Sequence, residues 1–156
     1  MIKYFFILGR NPDLSRAELY SYLETRGMRF KEIFVEDNFL VVELDKDIVF
    51  NIQDFGGIIK LGKIEVEGNM DKIEEYVKQE EVIPSDKFTY SILGNGEEGI
   101  LIQKFKSERK KAVIRHGRKA IKMESGELLF LPNAEFEVFF HSPKNSQDFY
   151  FGLVQQ

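Results

Sequence analysis

Cysteine is absent from the 156-residue chain, which excludes disulfide staples and cysteine-based zinc sites. Histidine is nearly absent: His116 and His141 stand far apart and leave little for a transition-metal site. Long hydrophobic runs are missing as well. The apolar run near the start, Tyr4 to Leu8, closes at Gly9 and Arg10 after five residues, far short of a signal-peptide core or a membrane span. The expectation is a soluble, cytoplasmic protein with no membrane partner and no metal. What is present, 43% hydrophobic and 13% aromatic residues, suffices for one sizeable core or two small ones and speaks against disorder.

Positive charge is outnumbered overall and unevenly spread. The chain carries a net charge of −4, which on average argues against a polyanion partner. Between Lys104 and Lys122, however, nine bases (Lys104, Lys106, Arg109, Lys110, Lys111, Arg115, Arg118, Lys119 and Lys122) face one acid, Glu108. The remaining residues hold 13 bases and 25 acids. A cationic stretch on an acidic body is the electrostatic footprint of a directed nucleic-acid contact; a solvated helix face is the plainer explanation.

Periodicity and turn signals give the element order. Lys3 to Leu8 reads as a strand. Ser15 with Glu18 spells a capping box at a helix start, flanked by Leu14 and Leu19 at the staple positions. Ala17, Tyr20 and Leu23 supply an apolar stripe, and Gly27 offers a left-handed stop. Glu32–Glu36 and Phe39–Leu44, joined at Asp37-Asn38, form a hairpin. Asp45 to Phe55 places Ile48, Ile52 and Phe55 on one helical face before Gly56-Gly57, and Ile58 to Val66 alternates like a strand. This βαββαβ order predicts a ferredoxin-like antiparallel sheet with two helices on one face. Gly68-Asn69 marks a boundary, dividing the chain into residues 1–67 and 68–156.

Beyond it, Asp71 to Glu81 reads as a charged helix with Asp71 and Glu74 at capping positions, closed by Pro84-Ser85. A strand follows at Phe88–Leu93. Next comes a helix of about four turns, Glu98 to Ile114, with Ile102, Phe105 and Ala112 inward, and Lys106 with Lys110 and Lys104 with Lys111 on outward rows. Ala120–Met123, Leu128–Leu131, Glu137–Phe140 and Phe149–Val154 complete the strands. Overall the class is α+β.

Gly94-Asn95-Gly96-Glu97-Glu98-Gly99 matches G-x-G-x-x-G between a strand and a helix, with Glu124 as a stand-in for a ribose-binding acid, so a dinucleotide or S-adenosylmethionine pocket is weighed. Glu97 and Glu98, however, already satisfy the helix dipole and repel a pyrophosphate. The plainer reading is a glycine-rich strand-to-helix turn. No catalytic residue is assigned: neither histidine has a triad suggested by sequence, and the paired acids recur on polar helix faces. The basic segment is the candidate surface, its cations neutralising phosphates and releasing counterions.

Two stretches resemble a known family. Tyr4-Phe5-Phe6-Ile7-Leu8-Gly9-Arg10, with Leu14-Ser15 and Ala17-Glu18-Leu19, is similar to the opening of the archaeal-type tRNA guanosine-N2-methyltransferases. Lys87 to Ser91, Phe105-Lys106 through Gly117-Arg118-Lys119-Ala120, and Phe149 to Gln155 resemble the THUMP RNA-binding module in the same order. The resemblance implies a ferredoxin-like domain followed by a THUMP-like α/β domain, the part of such enzymes that grips tRNA near its acceptor end. It also implies a following methyltransferase domain that binds S-adenosylmethionine and carries an Asp-Pro-Pro-Tyr-type motif, neither of which appears here, so the chain looks like an isolated N-terminal part with no cofactor of its own. The expected partners are tRNA and that domain. The alternative is a protein-interaction or dimerisation module whose basic helix docks an acidic surface. A third possibility is an enzyme using the glycine loop.

Overall fold

The computed structural model describes residues 1–116, 121–122, 128–129 and 134–156, with backbone alone for 121–122 and 128–129. Two compact units are present: residues 1–64 with 155–156, and residues 65–154. No helix among the described residues is long and apolar enough to cross a membrane.

In the first unit the elements are β1 (Ile2–Leu8), α1 (Pro12–Thr25), β2 (Phe30–Glu36), β3 (Phe39–Leu44) and the beginning of β4 (Ile58–Gly68). The sheet order is β2-β3-β1-β4, every neighbouring pair antiparallel, the order that a split βαβ unit generates. Alternation sends Tyr4, Phe6 and Leu8 of β1 and Leu40, Val42 and Leu44 of β3 into one cluster with Leu19 and Leu23 of α1. Burying each such side chain contributes about 1.5–3 kcal/mol.

Several expectations are corrected here. Residues 45–55 form no α-helix: the only helical turn is a 3-10 segment, Ile52–Asp54. The reason is Phe50, which is buried while its neighbour Val49 is 92% exposed, an extended alternation that seats the Phe50 ring edge-on against Tyr4 and Phe6 at 5.1 and 5.4 Å. The Tyr4 hydroxyl also donates to the Asp47 carboxylate, and Lys63 bonds the same carboxylate at 3.0 Å. Those bonds hold Asp47 below its ordinary value and tie the segment to the sheet.

Nor does Ser15 cap α1. Asn11 does, its side chain accepting from the Leu14 N–H with Pro12 at the first helical position. Ser15 and Glu18 instead clasp the Gly56-Gly57 turn: Ser15 Oγ donates to Gly57 O at 2.8 Å, and the Glu18 carboxylate accepts the N–H groups of Gly56 and Gly57 at 2.9 and 3.0 Å. The buried stripe is therefore Ser15, Leu19 and Leu23, while Leu14 and Ala17 are exposed.

The second unit contains α2 (Met70–Gln79), β5 (Lys87–Leu93), α3 (Glu98–Ser107), β6 (Lys111–Ile114), β7 (Ile121–Lys122), β8 (Leu128–Leu129), β9 (Phe136–His141) and β10 (Phe149–Val154). Asn69, rather than Asp71 or Glu74, caps α2 by accepting the Lys72 N–H. Strands run in the order β10-β9-β5-β6, with β5 parallel to both its neighbours and β9 antiparallel to β10. β7 and β8 pair antiparallel over two residues each.

Ile73 and Val77 of α2 and Leu101 and Phe105 of α3 cover one face of this sheet, meeting Phe88, Tyr90, Val138, Phe140 and Phe151. Phe105 packs edge-on against Phe88 and at a steep angle to Tyr90, both at 5.0 Å, contacts worth about 0.5–1.5 kcal/mol each beyond area burial. Ile102, expected inward, is 39% exposed.

Candidate nucleic-acid interface

The long basic helix expected over 98–114 is two elements. α3 stops at Ser107, and β6 begins four residues later. Arg109 takes a left-handed conformation at φ 58°, and two backbone bonds close the turn: Arg109 N–H to Lys106 O at 3.1 Å and Lys110 N–H to Phe105 O at 3.0 Å. This is a Schellman ending with arginine in the position glycine usually holds. Ser107 Oγ adds a bond to Lys104 O at 2.6 Å.

The break redistributes the expected contacts. Lys104 lies on α3, half-buried, and gives its ammonium to Lys78 O at 3.1 Å. Lys110 does not lie on an outward row: its side chain is only 6% exposed. The ammonium donates to Ile83 O and sits 3.5 Å from Glu81 and 4.0 Å from Glu108. One hydrogen bond and two nearby carboxylates hold the ammonium, so Lys110 braces the turn. Glu108, half-buried, supplies one carboxylate oxygen to this cluster and keeps the other buried without a hydrogen bond.

Lys106, Arg109, Lys111 and Arg115 are exposed. Lys111 and Arg115 share one side of the β6 line because Ala112 and Ile114, between them, pack on the core. Arg118 and Lys119 lie outside the described residues, as does Glu124. Lys122 is in β7, described by backbone alone. Four of the nine expected cations are thus exposed, Lys106 and Arg109 at the end of α3 and Lys111 and Arg115 along the β6 line, and two are engaged within the unit.

Sequence reading missed Lys87. It is the register partner of Lys111 in the parallel β5–β6 ladder and is exposed. It stands 17 residues before Lys104 in the chain, so only strand pairing reveals the association.

At the carboxyl end of β5, Gly94, with φ 115°, leaves no room for a Cβ, which would fall 2.5 Å from Phe140 O. A Cβ on Gly96 would enter the Phe140 ring at 2.1 Å. Asn95 stitches this loop to the end of β9, its amide bonding Ser142 O and Ser142 N–H at 2.9 and 2.8 Å, while its own N–H donates to His141 Nδ1 at 3.3 Å. Close packing on β9 is the reason for the first two glycines. Nearby, His116 pairs with Glu98 at 2.9 Å, and Tyr90 is pushed up to about 12 by burial and by Glu98, so its hydroxyl stays protonated at neutral pH. A groove of about 530 Å³ runs between α2 and α3, lined by Glu74, Lys78, Gln103, Lys104 and Ser107 among others.

No protein-family model matches the sequence, and no characterised protein matches it by sequence. Solved structures match by fold. A 4-thiouridine synthetase–RNA complex with bound ATP superposes with TM-score 0.53 at 11% identity, covering 99% of this chain and 41% of that one. TrmN from Thermus thermophilus superposes with TM-score 0.55 at 8% identity, covering 99% of this chain and 46% of that one. The chain spans less than half the length of either, and what it shares with them is the α+β fold.

Proposed function

We propose that this chain is the RNA-gripping part of a tRNA-modifying enzyme, a THUMP-type module that holds tRNA through its phosphates and presents it for chemistry carried out elsewhere. The observation that carries the reading is the set of exposed cations Lys106, Arg109, Lys111 and Arg115, within ten residues of a chain whose net charge is −4. Exposed cations concentrated on an acidic body recruit a polyanion at one place and repel it elsewhere. The fold likeness to a synthetase solved with RNA and to TrmN supports the same direction, as does the sequence resemblance to the THUMP module.

In its finer form the reading is a tRNA guanosine-N2-methyltransferase. The catalytic step and S-adenosylmethionine then belong to a domain following these two units, and none of the residues described above acts on the base. Contacts to phosphate position the RNA without reading its sequence.

Titrating a tRNA transcript with the chain between about 50 and 200 mM salt tests this, because four phosphate contacts predict a loss of affinity of about a hundredfold. Reversing Lys106, Lys111 and Arg115 to glutamate abolishes binding on this reading, with Lys110 left intact to keep the turn folded. A flat salt response, or unaltered affinity in the triple variant, refutes it. If light scattering shows that the chain self-associates or captures an acidic protein while ignoring tRNA, the docking-module alternative takes its place.

A further inference from the structure

We propose that Lys87 and Lys111 form a two-lysine clasp for a single backbone phosphate, with Arg115 making the next contact along the same line. This rests on the reading above that the chain grips tRNA, and it names the atoms that do so. Lys87 and Lys111 are direct partners across the β5–β6 ladder, so their backbones lie about 4.8 Å apart. Both are exposed. The ladder is pinned at both ends: Lys111 N–H donates to Asp86 O and Arg115 N–H to Tyr90 O, each at 2.7 Å.

Register decides which way they face. Phe88, Tyr90, Ala112 and Ile114 belong to the core under the helices, so Lys87, Lys111, Val113 and Arg115 point to the other side of the sheet. Two ammonium groups directly opposite one another repel, and among the described residues no carboxylate pairs with either. The acids nearest in register are Glu135 and Glu137, one strand further in beside Thr89 and Ser91, and Asp86 precedes Lys87 in the chain. These acids border the strip and confine a polyanion to its outer edge. A phosphodiester group shares one negative charge over two oxygens and each lysine has three donors, so one phosphate accepts from both lysines and offsets their repulsion in part. Lys111 and Arg115 are about 13 Å apart along the strand, which assigns Arg115 to a different phosphate.

The test separates the clasp from the general reading. The full chain is titrated with a tRNA transcript over a range of salt, alone and as Lys87→Gln, Lys111→Gln and the double variant. If the two lysines share a phosphate, each single change weakens binding several-fold with little change in salt slope, because the remaining lysine still neutralises that phosphate. The double variant then lowers the slope by about one. Replacing both by arginine keeps the slope.

A slope that falls by about two in the double variant means two separate phosphates and overturns the clasp. So does an unaltered affinity in the double variant when Lys106→Gln with Arg109→Gln still weakens binding, and in that case tRNA gripping itself survives. Absence of tRNA binding by the unmodified chain overturns both.

Discussion

The two units contain the same passage, strand to helix to strand, finished in different ways. In β1–α1–β2 the helix opens on an Asn11 cap with Pro12 behind it and ends on Gly27, left-handed at φ 66°, with Gly27 N–H bonding Glu24 O and Met28 N–H bonding Leu23 O. In β5–α3–β6 the helix opens at Glu97 without a side-chain cap and ends on Arg109, a residue that adopts the same left-handed geometry at a cost of about 1–2 kcal/mol. Charge follows the same division. Arg16 of α1 is paired with Asp13 and Glu32, whereas Lys106, Arg109 and Lys111 at the end of α3 are exposed. The first passage is completed internally. The second ends on a strained residue with exposed cations around it, the arrangement that the proposed binding surface requires.

The sharpest way to break this comparison is at the helix entries. Gly96→Ala drives a methyl group into the Phe140 ring and is expected to destabilise the second unit by about 3 kcal/mol; Asn11→Ala, which removes a cap from the first, costs about 1 kcal/mol. Urea denaturation ranks the two. At the exit of α3, Lys110→Ala leaves Glu108 facing an empty site and costs about 2–3 kcal/mol. A tRNA titration of that variant, at a temperature where it remains folded, shows affinity unaffected by more than the loss of folded protein. An effect on binding larger than that restores Lys110 to the interface.

Smaller effects test the two left-handed residues. Gly27→Ala is destabilising by about 1 kcal/mol through backbone strain alone, since open space surrounds its Cβ position. Arg109→Gly is stabilising by a similar amount, while it removes one phosphate contact from the salt slope. Stability and binding therefore move in opposite directions at one residue.

The smallest effect concerns Asp47. Its bonds from Tyr4 and Lys63 hold its pKa below the ordinary carboxylate value, so the stabilisation it contributes is present above that value and disappears as pH falls through the lowered one. Tyr4→Phe removes the larger cause, and the midpoint of acid unfolding moves to higher pH by a fraction of a unit.

Much of the fold was legible because it is written locally. Aromatic and aliphatic runs bounded by turn residues located β1, β3, β9 and β10; Asp37, left-handed at φ 53°, made the β2–β3 turn; Gly27 gave the end of α1 away. The failures share a physical cause. At residues 45–55 a helical spacing of Ile48, Ile52 and Phe55 competed with a single aromatic, Phe50, whose burial depends on Tyr4 and Phe6 about 45 residues earlier, and tertiary packing prevailed. The end of α3 was hidden because its left-handed residue is arginine, which carries no turn signal. Of the candidate surface, composition gave the segment. Strand register, which no single stretch encodes, supplied Lys87, and the turn after α3, which seats the Lys110 ammonium on Ile83 O, withdrew Lys110.

The turn at Arg109 has an evolutionary consequence. β6 has only four residues, so its parity is set almost entirely by the length of that bend. Inserting or deleting one amino acid there would exchange the two sides of the strand, presenting Ala112 and Ile114 to solvent and driving Lys111 and Arg115 inward. Lineages sharing this surface should therefore tolerate many side chains at the bend but almost no change in its length.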